Sequence, residues 1–412
     1  MKKYTLFEIY SEDKIEYQIE RYKKAAESYK RIFGDGEVRF FSAPGRTEVG
    51  GNHTDHNFGK VLAAGVSLDV IAVASATDDS IIEVKSEGFE KDVVDITDLS
   101  VHDDEKNTSA ALIRGVCRKI KDLGYNIGGF KAYTTSNVLK GSGLSSSAAF
   151  EVLLCTILNC LYNDGKITAV EAAQISQYAE NEYFKKPSGL MDQMASSVGG
   201  FITIDFLDPK NPVINKINVD INKYGYSLCI VDTKGDHADL TPEYAAIPNE
   251  MKSVAKLFGK DVLRGISKSE ILERAAEIKE ECGDRAFLRA LHFIDENDRV
   301  DVQAKALTSG DFDTFLDEVN KSGNSSYKYL QNIYANKSPE KQGLSVGLYL
   351  AEEVLDGEGA SRVHGGGFAG TIQAFVPNYK LSEFISVLDG VFGKGACNVL
   401  TIRPCGGVEV SL

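Results

Sequence analysis

Charged and aromatic residues recur at helical spacing from residue 12 to 33, and that stretch predicts a helix. The period then changes. "VRFFSAPGR" (38–46) reads as a strand ending in a proline/glycine turn, and "KVLAAGVSLDVIAVASA" (60–76) and "SIIEVKS" (80–86) read as apolar, β-branched strands. Helices are predicted at 107–123, 146–162 and 168–183, with the strand "FKAYTT" (130–135) among them. "GGFITIDF" (199–206) and "YSLCIVDTK" (226–234) are strands on either side of a polar stretch, 207–225. The second half carries helical periods around 242–258, 268–279 and 300–320, the run "TIQAFVP" (371–377), a helix near 380–391, and "CNVLTIRP" (397–404). Strands and helices mix without strict βαβ alternation, which predicts an α+β fold rather than one doubly wound sheet. A chain of 412 residues is too long for one ordinary core. Two domains are expected, 1–222 and 223–412, with the boundary inside the polar stretch.

Composition narrows the class of partner. With 43% apolar and 26% charged residues the chain reads as globular, and its net charge of −14 comes without any lysine/arginine block. Nucleic acid and anionic membrane surfaces are therefore not expected partners. No stretch approaches ~18 uninterrupted apolar residues and the N-terminal segment has no apolar signal core, so a cytoplasmic location is expected. The seven scattered cysteines include no C-x-x-C pair and are expected as reduced thiols. No long heptad seam specifies an assembly, and a monomer or weak dimer is expected.

Three polar, glycine-rich segments interrupt this apolar pattern. "APGRTEVGGNHTDHNFGKVL" (43–62) crowds Arg46, Glu48, Asn52, His53, Asp55 and His56 between two strands, as a ligand rich in hydroxyls would need. His53 and His56 have metal-pair spacing but no third ligand beside them. "GSGLSSSAA" (141–149) places glycines and serines at the start of an apolar helix, where unpaired N–H groups and the helix dipole favour an anion. An ordinary capped helix would show the same cluster. "AENEYFKKPSGLMDQMASSVGG" (179–200) sets Glu180 and Asp192 on opposite sides of a proline/glycine turn. One acid near a phosphate cradle can hold Mg²⁺ and a second can receive a hydroxyl proton. Asp192 lies among Leu190, Met191 and Met194 and so needs a partner, for which Arg46 is the candidate. "VHGGGFAG" (363–370) adds a small-residue turn before a strand.

In this order and with these intervals the segments resemble the GHMP small-molecule kinases and, among them, the galactokinase family. "APGR" with "HTD" is similar to the galactokinase signature, "GSGLSSSAA" to the phosphate loop and "GLMDQ" to the catalytic segment. "DTKGDH" with "PEY" is similar to the sugar-side strand and loop, and "GGGFAG" to the third family motif. The resemblance implies an N-terminal domain like ribosomal protein S5 domain 2, a ferredoxin-like C-terminal domain, and a site between them. It implies an ATP-dependent 1-kinase converting D-galactose to α-D-galactose 1-phosphate. Asp192 would be the catalytic carboxylate and Arg46 its cationic neighbour. Asn52, His53, Asp55, Gly189 and Tyr244 would surround the sugar. Gly141, Ser142, Gly143, Leu144, Ser145, Ser146 and Ser147 would wrap the ATP phosphates, and Ser147 with Glu180 would hold Mg²⁺. The loop ends without the lysine of a Walker A motif, so Mg²⁺, the helix dipole and the backbone are expected to neutralise most of the charge.

Several positions depart from the family pattern. Most galactokinases read "GEHTDY" where this chain reads "GNHTDH", so Asn52 and His56 replace a glutamate and a tyrosine. That glutamate is expected to accept a hydrogen bond from the sugar's 6-hydroxyl, and its loss bears on specificity. Galacturonokinases also lack it and carry the histidine, which makes D-galacturonate the alternative substrate, although the motif supplies only Lys60 as a cation for its carboxylate. A non-catalytic sugar sensor is the alternative from another class. His364 and the segment "KSGNSSYKYL" also differ from the usual pattern.

Overall fold

Alternation along one long strand builds two cores at once. In the computed structural model, which describes residues 2–138, 143–186, 188–235 and 240–412, Val70, Ala72 and Ala74 face one apolar cluster while Ile71 and Val73 face another. The first cluster is covered by helices Ser109–Asp122 and Ser146–Tyr162, the second by Ile15–Phe33. A strand buried on both faces reads as continuously apolar, as this one does in the sequence.

Two sheets organise the described residues. The large one contains β1 (Lys3–Thr5), β2 (Arg39–Gly50), β3 (Lys60–Ala76), β4 (Ile81–Ser86), β5 (Lys91–Asp95), β6 (Phe130–Ser136), β7 (Phe201–Asp205) and β8 (Val213–Ile217). The small one contains β9 (Tyr226–Asp232), β10 (Ala360–His364), β11 (Thr371–Pro377) and β12 (Cys397–Leu400), in the order β10-β11-β9-β12. β13 (Val408–Ser411) then returns to the large sheet, between β1 and β2. The passage from one sheet to the other falls at the short turn Ile221–Tyr224. Residues 223–412 thus contribute to both sheets. Arg39 closes the return by donating to both oxygens of Glu409, at 2.8 and 2.6 Å.

The turn expected at "APGR" does not form. Pro44 and Gly45 stay within β2, whose register against β3 slips between Pro44 and Arg46 and again between Glu48 and Gly50. Proline cannot donate to the ladder, and a bulge accommodates it without ending the strand. The helix expected over 300–320 is two helices, Asp284–Ser309 and Phe312–Ser325, separated at Gly310 with φ +76°. The segment 268–279 is likewise split, into Lys268–Glu273 and Ala275–Cys282. No helix among the described residues is long and apolar enough to cross a membrane, and no disulfide links any of the seven cysteines.

Candidate active site

A cavity of about 300 Å³ opens where β2, the loop after it, the turn after β10 and the segment 186–192 converge. Arg46 and Glu48 lie two residues apart in a continuous stretch of β2, so they share a face of the strand, and both reach the cavity wall. Arg46 Nε donates to Asp192 Oδ1 at 2.8 Å, and its Nη1 donates to the Gly143 carbonyl. The other oxygen of Asp192 accepts from the Ser145 hydroxyl. One arginine therefore ties the carboxylate at the start of helix Met191–Val198 to the loop before helix Ser146–Tyr162. Burial disfavours the Asp192 anion, but the Arg46 charge and the hydrogen bonds from Arg46 and Ser145 outweigh it and hold the carboxyl below its usual range. The partner expected for Asp192 from the sequence is the one observed.

The loop is shaped by close approaches. Gly143 has φ +69°, and a Cβ there would lie 3.1 Å from His364 Nδ1. That histidine is buried against Thr47 Oγ1 at 3.1 Å and Thr371 Oγ1 at 3.0 Å. Ser145, at φ +53°, turns its hydroxyl toward Asp192. Leu144 is fully buried and can offer only its backbone. Gly141 and Ser142 lie outside the described residues. Ser147 Oγ donates to Glu180 Oε1 at 3.2 Å, bringing together the two expected metal ligands.

Groups the sequence reading did not single out complete this centre. Lys186 Nζ donates to Glu180 Oε1 at 2.8 Å and lines the cavity with Asp192. Gln193 Nε2 bridges Glu180 Oε2 at 2.8 Å and Glu151 Oε2 at 3.1 Å. Burial, reinforced by the neighbouring Glu180 charge, pushes the Glu151 carboxyl well above its usual range. Glu151 lies four residues after Ser147 on one helix, a spacing that placed it on the same face.

On the sugar side, His53, Asp55 and Gly189 line the cavity. His53 Nε2 donates to the Gly366 carbonyl at 2.9 Å, leaving Nδ1 without a proton. Burial first, then the neighbouring His56, lowers its pKa to about 4. A Cβ on Gly189 would come within 2.2 Å of Asp55 Oδ2, so only glycine lets that carboxylate sit where it does.

Asn52 and Tyr244, also expected around the sugar, are not among the residues that line the cavity. Asn52 is fully buried and its amide is saturated by protein. Nδ2 donates to Glu48 Oε1 and to the Gly365 carbonyl, both at 2.8 Å, and Oδ1 accepts from Asn332 at 2.9 Å and Ser326 at 3.2 Å. With two donors and two lone pairs engaged, nothing remains for a sugar. The carboxylate at the wall is Glu48, four residues earlier, held by Asn52 and by Arg362 Nη2 at 3.2 Å. Tyr244 stands behind the cavity: its hydroxyl donates to the Gly367 carbonyl at 2.9 Å, and its ring leaves no room for a Cβ on Gly366.

The geometry can be compared with known proteins. Residues 27–76 match the galactokinase galactose-binding signature and residues 111–200 match the GHMP kinases N terminal domain. A galactokinase of Streptomyces coelicolor is 31% identical over 390 residues, covering 93% of this chain and 97% of that protein. One from Actinobacillus pleuropneumoniae serotype 3 is 30% identical over 372 residues, covering 90% and 93%. Among solved structures, Lactococcus lactis galactokinase complexed with galactose superposes with a TM-score of 0.80 at 24% identity, over 94% of this chain and 99% of that one. A mevalonate kinase superposes at 0.61 and 15% identity, over 88% and 99%.

Proposed function

The chain belongs to the galactokinase family of the GHMP kinases, and we propose that it transfers the γ-phosphoryl group of ATP to the anomeric hydroxyl of D-galactose, with Asp192 receiving the hydroxyl proton. The observation that carries this reading is the Asp192 carboxylate gripped by Arg46 and Ser145 at the rim of a sugar-sized cavity. An acceptor must be ionised, and Arg46 keeps it so. The sugar oxygen attacks the γ-phosphorus, the bond to the β-phosphate oxygen breaks, and ADP leaves. Most of the rate then comes from alignment and charge neutralisation.

The ATP phosphates lie along the backbone from Gly143 to Ser147, at the N-terminal end of helix Ser146–Tyr162. One hydroxyl and one carboxylate, Ser147 and Glu180, suit Mg²⁺, which takes few protein ligands when phosphates supply the rest. When bound, the ion would neutralise phosphate charge. Lys186 supplies a cation that the loop itself lacks. Its ammonium lies on Glu180 and lines the same cavity as Asp192, which supports a contact with the transferred phosphoryl group.

Specificity follows from Glu48. A neutral 6-hydroxyl can donate to it, whereas the carboxylate of a uronate would meet a like charge, at a cost that can reach several kcal/mol in a closed site. Glu48 therefore does here what a glutamate at position 52 was expected to do. His53 Nδ1 and Asp55 accept from further hydroxyls. The enzyme works on small molecules as a cytoplasmic monomer or weak dimer, which sedimentation tests.

The deciding experiment measures ADP release with D-galactose and D-galacturonate, on wild type and on Glu48→Gln. Galactose is preferred by both, and the variant narrows the gap. A wild type that prefers galacturonate sinks the galactose assignment, and sugar binding without turnover makes the chain a sensor.

A further inference from the structure

A second cleft, of about 550 Å³, opens between the five-residue π-turn Ser326–Leu330, helix Gly343–Leu355 and the start of β10. It shares no lining residue with the sugar cavity. Tyr327 and Tyr349 line it while 43% and 62% exposed, so neither ring is spent on the core. Ser361 also lines it, is only 6% exposed, and its hydroxyl has no hydrogen-bond partner. A buried hydroxyl without a partner is unfavourable in the fold as it stands.

The lining chemistry selects a ligand class. Aromatic rings offer apolar faces to the C–H side of a pyranose, and the hydroxyl and amide of Ser345 and Asn324 can exchange hydrogen bonds with its hydroxyls. One acid, Glu352, and one base, Lys328, leave the cleft without net charge, which disfavours phosphates and nucleotides.

Two elements run from this cleft to the sugar cavity. Tyr327 and Lys328 belong to the π-turn whose first residue, Ser326, donates to Asn52 Oδ1. Ser361 precedes Arg362, which donates to Glu48 Oε1 and, at 2.7 Å, to the Val49 carbonyl. Single π-turns are frequent at functional sites. We propose that the cleft is an effector site for a neutral saccharide, and that its occupancy changes the affinity of the catalytic cavity for its sugar through Ser326 and Arg362.

Lactose is the probe. It is titrated calorimetrically into wild type, into the Tyr327→Ala/Tyr349→Ala double variant and into Asn324→Ala, each with and without saturating D-galactose. The KM for galactose is then measured with and without lactose. Both tyrosines are well exposed, so the double variant keeps its fold, and Asn324→Ala gives an independent reading. Wild type is expected to bind lactose at millimolar Kd with galactose already bound, about tenfold more tightly than the double variant. Lactose should shift the galactose KM at least about twofold in wild type and not in the double variant. Absence of binding up to about 50 mM, displacement of lactose by galactose, or equal binding by the double variant overturns the site. An unchanged KM overturns its effector role.

Discussion

Asn52→Glu restores the residue usual in the family and, on this structure, should damage the protein. The amide it removes donates to Glu48 and to the Gly365 carbonyl, both at 2.8 Å. Losing those donors leaves a buried carbonyl unpaired, at about 1–3 kcal/mol. The new carboxylate would lie about 4 Å from Glu48, and two like charges at that distance repel by about 4 kcal/mol at an effective dielectric of 20. Arg362 cannot neutralise both. The total, about 5–7 kcal/mol, rivals the lower end of ordinary protein stability. The repulsion also raises one folded carboxyl pKa above its unfolded value. The deficit is therefore smaller below the unfolded carboxyl range and grows as pH rises through the folded value. Urea denaturation at pH 5 and pH 8 reads both effects. The exchange Glu48→Asn/Asn52→Glu puts one carboxylate and one amide back in the pair, and should recover at least about 2 kcal/mol relative to Asn52→Glu. An Asn52→Glu protein within about 0.5 kcal/mol of wild type, or an exchange no more stable than that single variant, refutes the reasoning.

Asp192→Asn should lower kcat by about 10²-fold or more in an ADP-release assay, and near-normal turnover would remove the residue from the chemistry. Lys186→Met should lower kcat at least about tenfold with little change in the galactose KM, and an effect on KM alone would place the lysine with the sugar instead. Gly189→Ala must displace the Asp55 carboxylate, because its Cβ would fall 2.2 Å from Oδ2, and should raise the galactose KM by about tenfold. His53 is held near 4 against an ordinary 6.5, so its contribution to stability is present above 6.5 and is lost as pH falls toward 4. His53→Gln should flatten that acid-side loss in thermal melts, by up to about 3 kcal/mol, and an unchanged profile would show that the ring is not held neutral.

Much of the fold was legible because period and burial agree. β3 runs from Lys60 to Ala76 as its apolar run predicts, and helix Ser146–Tyr162 begins at the serines that mark it. β10 was missed because "ASRVH" carries an arginine, a serine and a histidine, yet all five residues are buried, with Arg362 engaged by Glu48 and Val49. The partners of Arg362 are more than 300 positions away, which no local pattern can reveal. The same limit applies at the site. The Arg46–Asp192 pair could be foreseen from the need of a buried acid for a partner. That Glu48 rather than Asn52 reaches the wall depends on Gly365, Ser326 and Asn332, which take up the Asn52 amide from more than 270 positions away. Lys186 lies six residues after Glu180, beyond the end of the helical segment Ala179–Phe184, where spacing carries no direction. Its bond to Glu180 needed coordinates.

The return of β13 to the large sheet sets an order of events during synthesis. β2, the strand that carries Arg46, has its free edge covered only by residues 408–411, and the Arg39–Glu409 pair spans 370 positions of sequence. A ribosome must therefore release every residue from β2 to β13 before that edge can close. Until then an unpaired edge of the strand that carries Arg46 faces the solvent, the kind of edge on which nascent chains associate and chaperones act. A contact so distant in sequence also costs the most chain entropy to form, so its closure belongs late in folding. A chain cut short before residue 408 would therefore keep most of its core and leave the edge of the strand that carries Arg46 open.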